Sequence, residues 1–334
     1  MSLSVLVTGG AGYIGSHMVK ILASSGYDVT VFDNLSRGHR DAIVAGEFHL
    51  GDLLNRGDLS EVFGRHRFDM VMHFAALAYV GESVEKPLLY YRNNVTGTLN
   101  LLQAMREASV ARLVFSSTCA TYGMPYEIPV TEGHAQNPVN PYGWSKFFVE
   151  RILDDCGRAY GLKSISLRYF NAAGCDHEAE LAERHDPETH LIPLVLAEAS
   201  RVRGGGVPED TSLCVFGDDY NTPDGTCIRD YIHVEDLCSA HLDAAERLMR
   251  VGKEGFEAYN LGNGAGFSVK EIIDACRRVT GVDIRYRIAD RRQGDPPSLV
   301  GSAERAKAVL RWSPRISSIY EIVGTAWNWK GKDR

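Results

Sequence analysis

Short apolar runs alternate with amphipathic stretches in the first half of the chain. The apolar runs have the length of buried strands, and the amphipathic stretches have apolar residues at helical spacing. The predicted strands are Val5–Val7, Val29–Phe32, Glu47–Leu50, Asp69–Phe74, Arg112–Phe115 and Lys163–Tyr169. The predicted helices are Ile14–Ala23, Asp58–His66, Pro87–Ala108, with Leu99, Leu102 and Met105 on one face, and Pro141–Tyr160. Strands that alternate with helices predict an α/β fold with a doubly wound parallel sheet.

The pattern changes after Gly174. Residues 175–225 are rich in loops, glycine and proline, and one helix is predicted there, over Leu191–Arg203. The elements predicted after it are a strand at Ile228–Val234, a helix at Val234–Met249, a strand-and-turn unit from Tyr259, and a helix to Val279 that opens with the capping box Ser268–Glu271. We therefore expect a first domain over 1–174, with a returning segment near 226–245. We expect a smaller mixed α/β domain over 175–334, laid over the carboxyl edge of the sheet.

A glycine-rich turn follows the first strand. Gly9, Gly12 and Gly15 have the order G-x-x-G-x-x-G, and the first helix begins in this turn. Glycine permits a positive φ and lets a pyrophosphate approach the N–H groups at the helix N-terminus. Asp33 lies 18 residues after Gly15 at the end of the second strand, where a carboxylate binds the adenosine ribose of NAD. The sequence therefore predicts a Rossmann-type NAD site, although two arginines shortly after Asp33 leave NADP open.

Further candidate residues follow the third and fourth strands. A doubly wound sheet binds its ligand at the carboxyl ends of its strands. Asp52, followed by Leu53, comes where the third strand meets the adenine, and its carboxylate can accept from the adenine amino group. Ala75 and Ala76 follow the fourth strand, and their small side chains let the backbone lie beside the cofactor.

Tyr142 and Lys146 are four residues apart on the helix that begins near Pro141. This spacing puts both side chains on one helical face. A cationic lysine stabilises a phenolate and lowers the pKa of the phenol, so we expect Tyr142 to act as a base near neutral pH. The positive nicotinamide of an oxidised cofactor would lower this pKa further. Thr118, at the end of the fifth strand, offers a hydroxyl to the same substrate oxygen.

Composition excludes several classes of partner. The 334 residues carry 36 basic and 43 acidic side chains, a formal net charge of −7, which argues against nucleic acid or an anionic membrane surface. No apolar run reaches the roughly 18 residues that cross a bilayer, and no signal-peptide core opens the chain. Seven scattered cysteines without a C-x-x-C pair favour a reducing cytoplasm. We expect no metal site.

Many further motifs stand in register along the chain. They are TGGAGYIGSH (8–17), FDNLSRGHR (32–40), HFAAL (73–77), VGESVEKP (80–87), YYRNNVTGTLNLL (90–102), FSSTCATYG (115–123), NPYGWSK (140–146), LRYFNAAG (167–174), DGTCIRDYIHVEDL (224–237), YNLGNG (259–264) and RRQGD (291–295). From Val5 to about Trp329 the chain resembles the extended short-chain dehydrogenase/reductase family and, within it, the nucleotide-sugar 4-epimerases. The resemblance implies an isomerase that interconverts UDP-glucose and UDP-galactose with tightly bound NAD, as a homodimer.

The resemblance implies roles for residues at matching positions. Contacts to NAD are implied for Tyr13, Ile14, Asp33, Asn34, Leu35, Ser36, Asp52, Leu53, Phe74, Ala75, Ala76, Asn94, Lys146 and Phe170. Contacts to the UDP-sugar are implied for Asn171, Leu191, Val215, Phe216, Arg229, Arg292 and Asp295, with Thr118 at the sugar hydroxyl and Tyr142 as the base. Arginine also suits paired hydrogen bonds to a diphosphate on general grounds.

Four positions depart from the pattern of the family. Thr118 replaces a frequent serine and keeps the hydroxyl. Ala78 replaces a lysine of several members, so one contact near the cofactor phosphates is missing. His190 replaces a frequent asparagine; a contact to the diphosphate or hexose and a loop histidine without a role are both open. Leu299 stands where residue size limits the substituent at sugar C2, and its intermediate size leaves N-acetylated sugars open.

Alternative functions on the same fold differ at identifiable residues. In 4,6-dehydratases an Asp-Glu pair follows the threonine, and a decarboxylase of UDP-glucuronate has glutamate at the second position. Cys119 and Ala120 stand there in this chain and argue against both. A 4-epimerase of another UDP-sugar, such as UDP-xylose/UDP-arabinose or the N-acetylated pair, stays open. A non-catalytic NAD(H)-sensing protein is disfavoured, because a sensor needs no base.

Overall fold

The computed structural model describes residues 2–250, 255–292 and 294–332. Its strands are β1 (Ser4–Thr8), β2 (Asp28–Asp33), β3 (Glu47–Leu50), β4 (Met70–His73), β5 (Arg112–Thr118), β6 (Lys163–Tyr169), β7 (Asn171–Ala173), β8 (Cys214–Phe216), β9 (Ile228–His233), β10 (Gly255–Leu261), β11 (Gly266–Ser268), β12 (Arg287–Ala289) and β13 (Ser298–Leu299). Its helices are α1 (Tyr13–Ser24), α2 (Arg56–Arg65), α3 (Val80–Glu85), α4 (Pro87–Tyr90), α5 (Gly97–Glu107), α6 (Pro141–Tyr160), α7 (Leu191–Arg203), α8 (Val234–Arg250), α9 (Val269–Thr280), α10 (Glu304–Leu310) and α11 (Ile319–Lys332).

Seven strands form one central parallel sheet in the order β10-β6-β5-β4-β1-β2-β3. The strand order reverses at β1, which pairs with β2 on one side and β4 on the other. Val5, Leu6 and Val7 of β1 are completely buried, as expected of a strand covered on both faces. The prediction of a doubly wound α/β fold is confirmed. Its ligand crevice lies at the carboxyl ends of the strands on either side of this reversal.

The smaller sheets belong to the second half of the chain. One has the order β11-β9-β13, with β7 also paired to β9, and the other joins β12 to β8. Within the predicted returning segment near 226–245, α8 packs beside α1 of the first half, whereas β9 belongs to the smaller sheet. A later element also returns, because β10 pairs in parallel with β6. The end of β10 matches the strand predicted from Tyr259, but its half-exposed start has no apolar run from which the rest of the strand could be predicted. A domain boundary at residue 174 stays a prediction.

The long helix predicted from Pro87 to Ala108 is divided in the structure. A π-helical turn over Tyr91–Thr96 separates α4 from α5. Leu102 and Met105 of α5 are buried as predicted, but Leu99 is 46% exposed. The buried face of α5 includes Leu101 and Met105, four residues apart, and Leu99 lies outside it. Leu99 is therefore an apolar side chain at the surface of the protein.

The structure was compared with the expectations about membrane-spanning helices and cysteines. Within the described residues, no helix is both long and apolar enough to cross a membrane. The same part of the chain contains no disulfide. Cys238 and Cys276 are completely buried, where they act as small apolar side chains.

Candidate active site

In the turn between β1 and α1, the fold itself requires glycine at position 9, whereas glycine at position 12 leaves space for a ligand. Gly9 has a φ of +75°, and a Cβ there would lie 2.4 Å from the backbone nitrogen of Ala75. Gly12 has an ordinary φ of −80°, and a Cβ there would approach only the carbonyl oxygen of Gly9, at 3.4 Å. The protein therefore leaves room for a side chain at Gly12. This space, at the N-terminus of α1, fits the pyrophosphate of a dinucleotide.

Asp33 is fixed at the end of β2 by the neighbouring backbone. The N–H of Ala11 donates to Oδ2 at 3.0 Å, and the N–H of Leu35 donates to Oδ1 at 2.8 Å. Burial raises the pKa of Asp33, and these two hydrogen bonds act in the opposite direction. Each oxygen retains a lone pair for a ribose hydroxyl. The carboxylate thus has the setting that the NAD prediction requires.

The two arginines that left NADP open have partners within the protein. Arg37 donates to Glu82 at 3.2 Å and to the carbonyl oxygen of Asp186 at 2.9 Å. The guanidinium of Arg40 lies 4.0 Å from the centre of the Phe48 ring. These contacts favour NAD over a cofactor with a 2′-phosphate.

The loops after β2 and β3 meet through Asn34 and Asp52. The amide of Asn34 donates to Oδ2 of Asp52 at 3.1 Å, and its oxygen accepts from the N–H of Ser36 at 3.0 Å. Oδ1 of Asp52 accepts from the N–H of Leu54 at 2.8 Å. This pairing brings together the candidate adenine and ribose contacts. Their roles toward NAD stay predictions.

Asn94 connects the loop after β4 to α6. Its oxygen accepts from the N–H of Leu77 at 2.9 Å, and its amide donates to the carbonyl of Leu77 and to the hydroxyl of Ser145, both at 3.0 Å. Ser145 in turn donates to the carbonyl of Tyr142 at 2.7 Å. The observed contacts of Asn94 thus hold α6 beside the loop that contains the candidate cofactor residues Ala75 and Ala76.

Tyr142, Lys146 and Thr118 come together between α6 and the end of β5. Asn140 caps α6 by accepting from the N–H of Gly143 at 2.8 Å, and proline occupies the first turn. Lys146 Nζ donates to a carbonyl oxygen of β5 at 2.7 Å, and the neighbouring Thr118 hydroxyl acts to lower the Tyr142 pKa. All three side chains are nearly inaccessible, with exposures of 8%, 3% and 5%. They form a compact, desolvated acid–base site.

The predicted lowering of the Tyr142 pKa is wrong for the protein without cofactor. Burial raises the pKa of Tyr142 well above its ordinary value, and the hydrogen bond to Thr118 opposes this only in part. Burial also lowers the pKa of Lys146 to about 7, with the negative charge of Glu150 acting in the opposite direction. A partly charged lysine does not offset the burial of the phenol. Further positive charge is needed to form the phenolate.

A buried polar network that the sequence did not predict lies behind this site. Glu150 and Arg168 form a paired contact with exposures of 0% and 4%. His73 is buried between Thr8 at 2.7 Å and Thr98 at 2.9 Å. The available signal was the position of Glu150, four residues after Lys146 on the same helical face.

A second cluster contains the residues implied for the UDP-sugar. Arg229 lies 3.5 Å from Oδ1 of Asp295, whose N–H donates to the carbonyl of Arg292 at 3.4 Å. The guanidinium of Arg292 lies 4.1 Å from the centre of the Phe216 ring, which is 38% exposed. Arg292 beside an accessible aromatic ring suits a diphosphate and a pyrimidine, whereas Arg229 donates to the backbone carbonyls of Ile228 and Pro296 in this structure.

Other residues implied for the substrate differ in accessibility. The amide of Asn171 donates to the carbonyl of Asp230 at 2.8 Å. The Val215 side chain is buried in the core of the second half, and its backbone pairs with β12 opposite Ile288. Leu191 begins α7. Leu299 packs against the buried cluster that contains Phe170 and Cys119.

His190 belongs to an ion-paired cluster. Its Nδ1 lies 2.8 Å from Oε1 of Glu183 and 3.0 Å from Oε1 of Glu188. Burial lowers the pKa of His190, but these carboxylates outweigh it and raise the pKa to about 10. With His185, the potential ligand atoms of the cluster lie within 4.8 Å of one another, although opposite charges already pair within it. The positive charge of His190 suits a diphosphate, and that contact stays a prediction.

The sheet, the glycine turn and the buried Tyr–Lys pair define a nicotinamide-dependent enzyme that acts at a carbon bearing a hydroxyl group. The model of the NAD dependent epimerase/dehydratase family matches residues 5–262, and the chain belongs to that family. Over 327 residues it is 50% identical to UDP-glucose 4-epimerase of Halalkalibacterium halodurans, and the match covers 98% of this chain and 95% of that protein.

Solved structures show the same similarity. UDP-glucose 4-epimerase from Brucella ovis in complex with NAD has a TM-score of 0.92, 49% identity and 98% coverage of each chain. A UDP-Glc/GlcNAc 4-epimerase from Campylobacter jejuni has a TM-score of 0.83 and 38% identity, and the match covers 99% of this chain and 100% of that one. The similarity therefore extends over the whole fold and includes enzymes of different sugar preference.

Proposed function

We propose that this protein is an NAD-dependent 4-epimerase that interconverts UDP-glucose and UDP-galactose through a transient 4-keto sugar. The observation that carries the proposal is the burial of Thr118, Tyr142 and Lys146 where α6 packs against the carboxyl end of β5. Full-length relatives with this activity in their names support it.

The chain's own residues account for the proton transfers. Tyr142, as the phenolate, takes the proton from the sugar O4 during oxidation and returns it during reduction. The Thr118 hydroxyl binds the same oxygen and fixes its distance from Tyr142. When bound, NAD supplies the acceptor and then the donor of the hydride at C4. Because burial raises the Tyr142 pKa, the positive charges of Lys146 and of the oxidised nicotinamide must together stabilise the phenolate.

The substrate is held at the nucleotide rather than at the sugar. Arg229 and Arg292 bind the diphosphate, and Phe216 packs against the uracil or ribose. The hexose makes fewer contacts, so the 4-keto sugar can turn and present its opposite face. Firm binding of UDP keeps the intermediate in the site while it turns.

Cys119 and Ala120, which follow Thr118, distinguish an epimerase from the dehydratases and decarboxylases that share this fold. Burial raises the pKa of the Cys119 thiol to about 12, so it does not supply an acid–base group near neutral pH. The Ala120 side chain has no acidic proton to transfer. Its backbone N–H donates to the Thr118 hydroxyl oxygen at 3.1 Å. This arrangement supports epimerisation over dehydration or decarboxylation.

The proposal is tested by incubating the purified holoenzyme separately with UDP-glucose, UDP-N-acetylglucosamine and UDP-xylose. We expect UDP-galactose from the first. A 4-epimer from only one of the other two would reassign the substrate, and the absence of any 4-epimer would refute the proposed reaction. Absorbance of the protein as purified should also show bound nicotinamide cofactor.

A homodimer and a cytoplasmic location are part of the proposal. Leu88, Leu99 and Phe148 are 81%, 46% and 40% exposed on α4, α5 and α6, which supports pairing of these helices with a second copy. Light scattering should give the mass of a dimer, and Leu99→Glu should shift it toward the monomer. A monomeric wild-type protein at working concentration would contradict this assembly.

A further inference from the structure

The catalytic face of α6 contacts three successive residues at the end of β5. Lys146 Nζ donates to the carbonyl of Ser116 at 2.7 Å. Four residues later, Glu150 Oε1 accepts from the hydroxyl of Ser117 at 2.6 Å. Thr118, the next residue of β5, neighbours the catalytic tyrosine, which lies one helical turn before Lys146, and acts to lower its pKa. Glu150 therefore holds the strand residue that lies between the two catalytic contacts.

Glu150 is fully buried, and its carboxylate is surrounded by donors. Arg168 of β6 donates from Nε to Oε1 at 2.9 Å and from Nη2 to Oε2 at 2.6 Å. Gln136 donates to Oε2 at 2.9 Å. Arg168 also donates to the Tyr122 hydroxyl at 2.9 Å. The paired arginine and the further donors satisfy both oxygens of this buried carboxylate.

The groups that face Lys146 from neighbouring elements leave Glu150 as its negative partner. His73 of β4 is neutral, because burial lowers its pKa to about 3. The Tyr169 hydroxyl of β6 pairs with the Ser116 hydroxyl at 2.6 Å, and burial raises its pKa to about 12. On α6 itself, Tyr142 is protonated in the absence of cofactor. The Phe115 ring centre of β5 lies 4.7 Å from Nζ and carries no charge.

We propose that Glu150 is a positioning residue of the reaction, which fixes the end of β5 against α6 and keeps Lys146 protonated beside Tyr142. The inference rests on the proposed function, because turnover is its readout. If Lys146 loses its proton, the phenolate loses a stabilising charge. Removal of the Glu150 charge should therefore make activity fall at a lower alkaline pH.

The test compares wild-type holoenzyme with Glu150→Gln and with the double variant Glu150→Gln/Arg168→Met. The double variant removes both members of the pair, so no unpaired guanidinium remains buried if the single variant fails to fold. We expect the alkaline limb of the kcat–pH profile for UDP-glucose to move down by about one pH unit in Glu150→Gln, the size of a nearby charge effect. It should move in the same direction by less in the double variant, because that variant also loses the positive charge of Arg168. KM should stay close to the wild-type value.

A matched control is Glu198→Gln on α7. Glu198 is 5% exposed and pairs with Arg201 at 2.8 Å, outside the site, so its loss should leave the alkaline limb in place. Folded, NAD-containing Glu150 variants with the wild-type limb would overturn the inference. Wild-type protein without epimerase activity would instead refute the proposed function, so the two failures are distinguishable.

Discussion

Replacement of Gly12 by alanine separates what the fold needs from what the cofactor needs. The added Cβ would make only an ordinary contact, 3.4 Å from the Gly9 carbonyl oxygen, at a φ of −80° that alanine adopts. The free energy of unfolding of NAD-free protein should therefore change by less than about 1 kcal/mol. The same methyl group would intrude on the pyrophosphate, and overpacking costs about 1–3 kcal/mol. NAD should then bind about 5- to 160-fold more weakly.

Gly9→Ala gives the opposite pattern and serves as the comparison. Its φ of +75° and the 2.4 Å distance to the Ala75 nitrogen mean that the fold itself must shift. The left-handed conformation alone costs about 1–2 kcal/mol. Gly64→Ala on α2, where a Cβ meets nothing within 4 Å, is the matched control and should bind NAD normally.

The assay pairs denaturant unfolding of the cofactor-stripped variants with NAD titration and with the NAD content of the proteins as purified. Gly12→Ala should bind NAD more weakly and keep its stability, whereas Gly9→Ala should bind NAD more weakly and also be less stable. Wild-type NAD affinity in Gly12→Ala would refute the assignment of this space to the pyrophosphate. So would destabilisation of NAD-free Gly12→Ala as large as that of Gly9→Ala.

Three further predictions concern the site and its surroundings. Tyr142→Phe should lose nearly all turnover in a coupled UDP-galactose assay but still bind UDP-sugar in calorimetry; substantial residual activity would remove Tyr142 as the base. Leu299→Cys should raise kcat/KM for UDP-N-acetylglucosamine relative to UDP-glucose, because a smaller side chain leaves room at C2, and an unchanged ratio would contradict this. The raised pKa of His190, about 10, means that its ion pair stabilises the fold fully below its ordinary pKa of about 6.5 and loses this effect as pH rises through 10. His190→Gln should therefore lower Tm more at mildly acidic pH than at strongly alkaline pH, and an equal loss at both would count against the pairing with Glu183.

The secondary structure that could be predicted from the sequence depends on local features of the chain. The helix predicted over Leu191–Arg203 has those bounds in the structure, and the capping box at Ser268–Glu271 is present with both of its hydrogen bonds. The spacing of Tyr142 and Lys146 also predicted their shared face. Caps, proline at the first turn and helical periodicity act within a few residues, so they can be read without the fold.

Properties set by distant residues could not be predicted in the same way. The two- and three-residue strands of the smaller sheets have no periodic pattern, and they form because other segments pair with them. The partner of Glu150 is Arg168, on a different element. The Tyr142 pKa depends on burial by the assembled sheet and helices. The neighbouring lysine alone therefore predicted a lowered pKa, whereas burial raises it in NAD-free protein.

The proposed mechanism requires that one bound cofactor removes and returns the same hydride at C4. The most direct measurement is the incubation of the purified enzyme, without added NAD, with UDP-glucose carrying deuterium at C4, followed by mass analysis of the UDP-galactose formed. We predict that the product keeps its deuterium and that turnover continues over many cycles. Loss of the deuterium to solvent, or turnover that stops without external nicotinamide cofactor, would contradict the account.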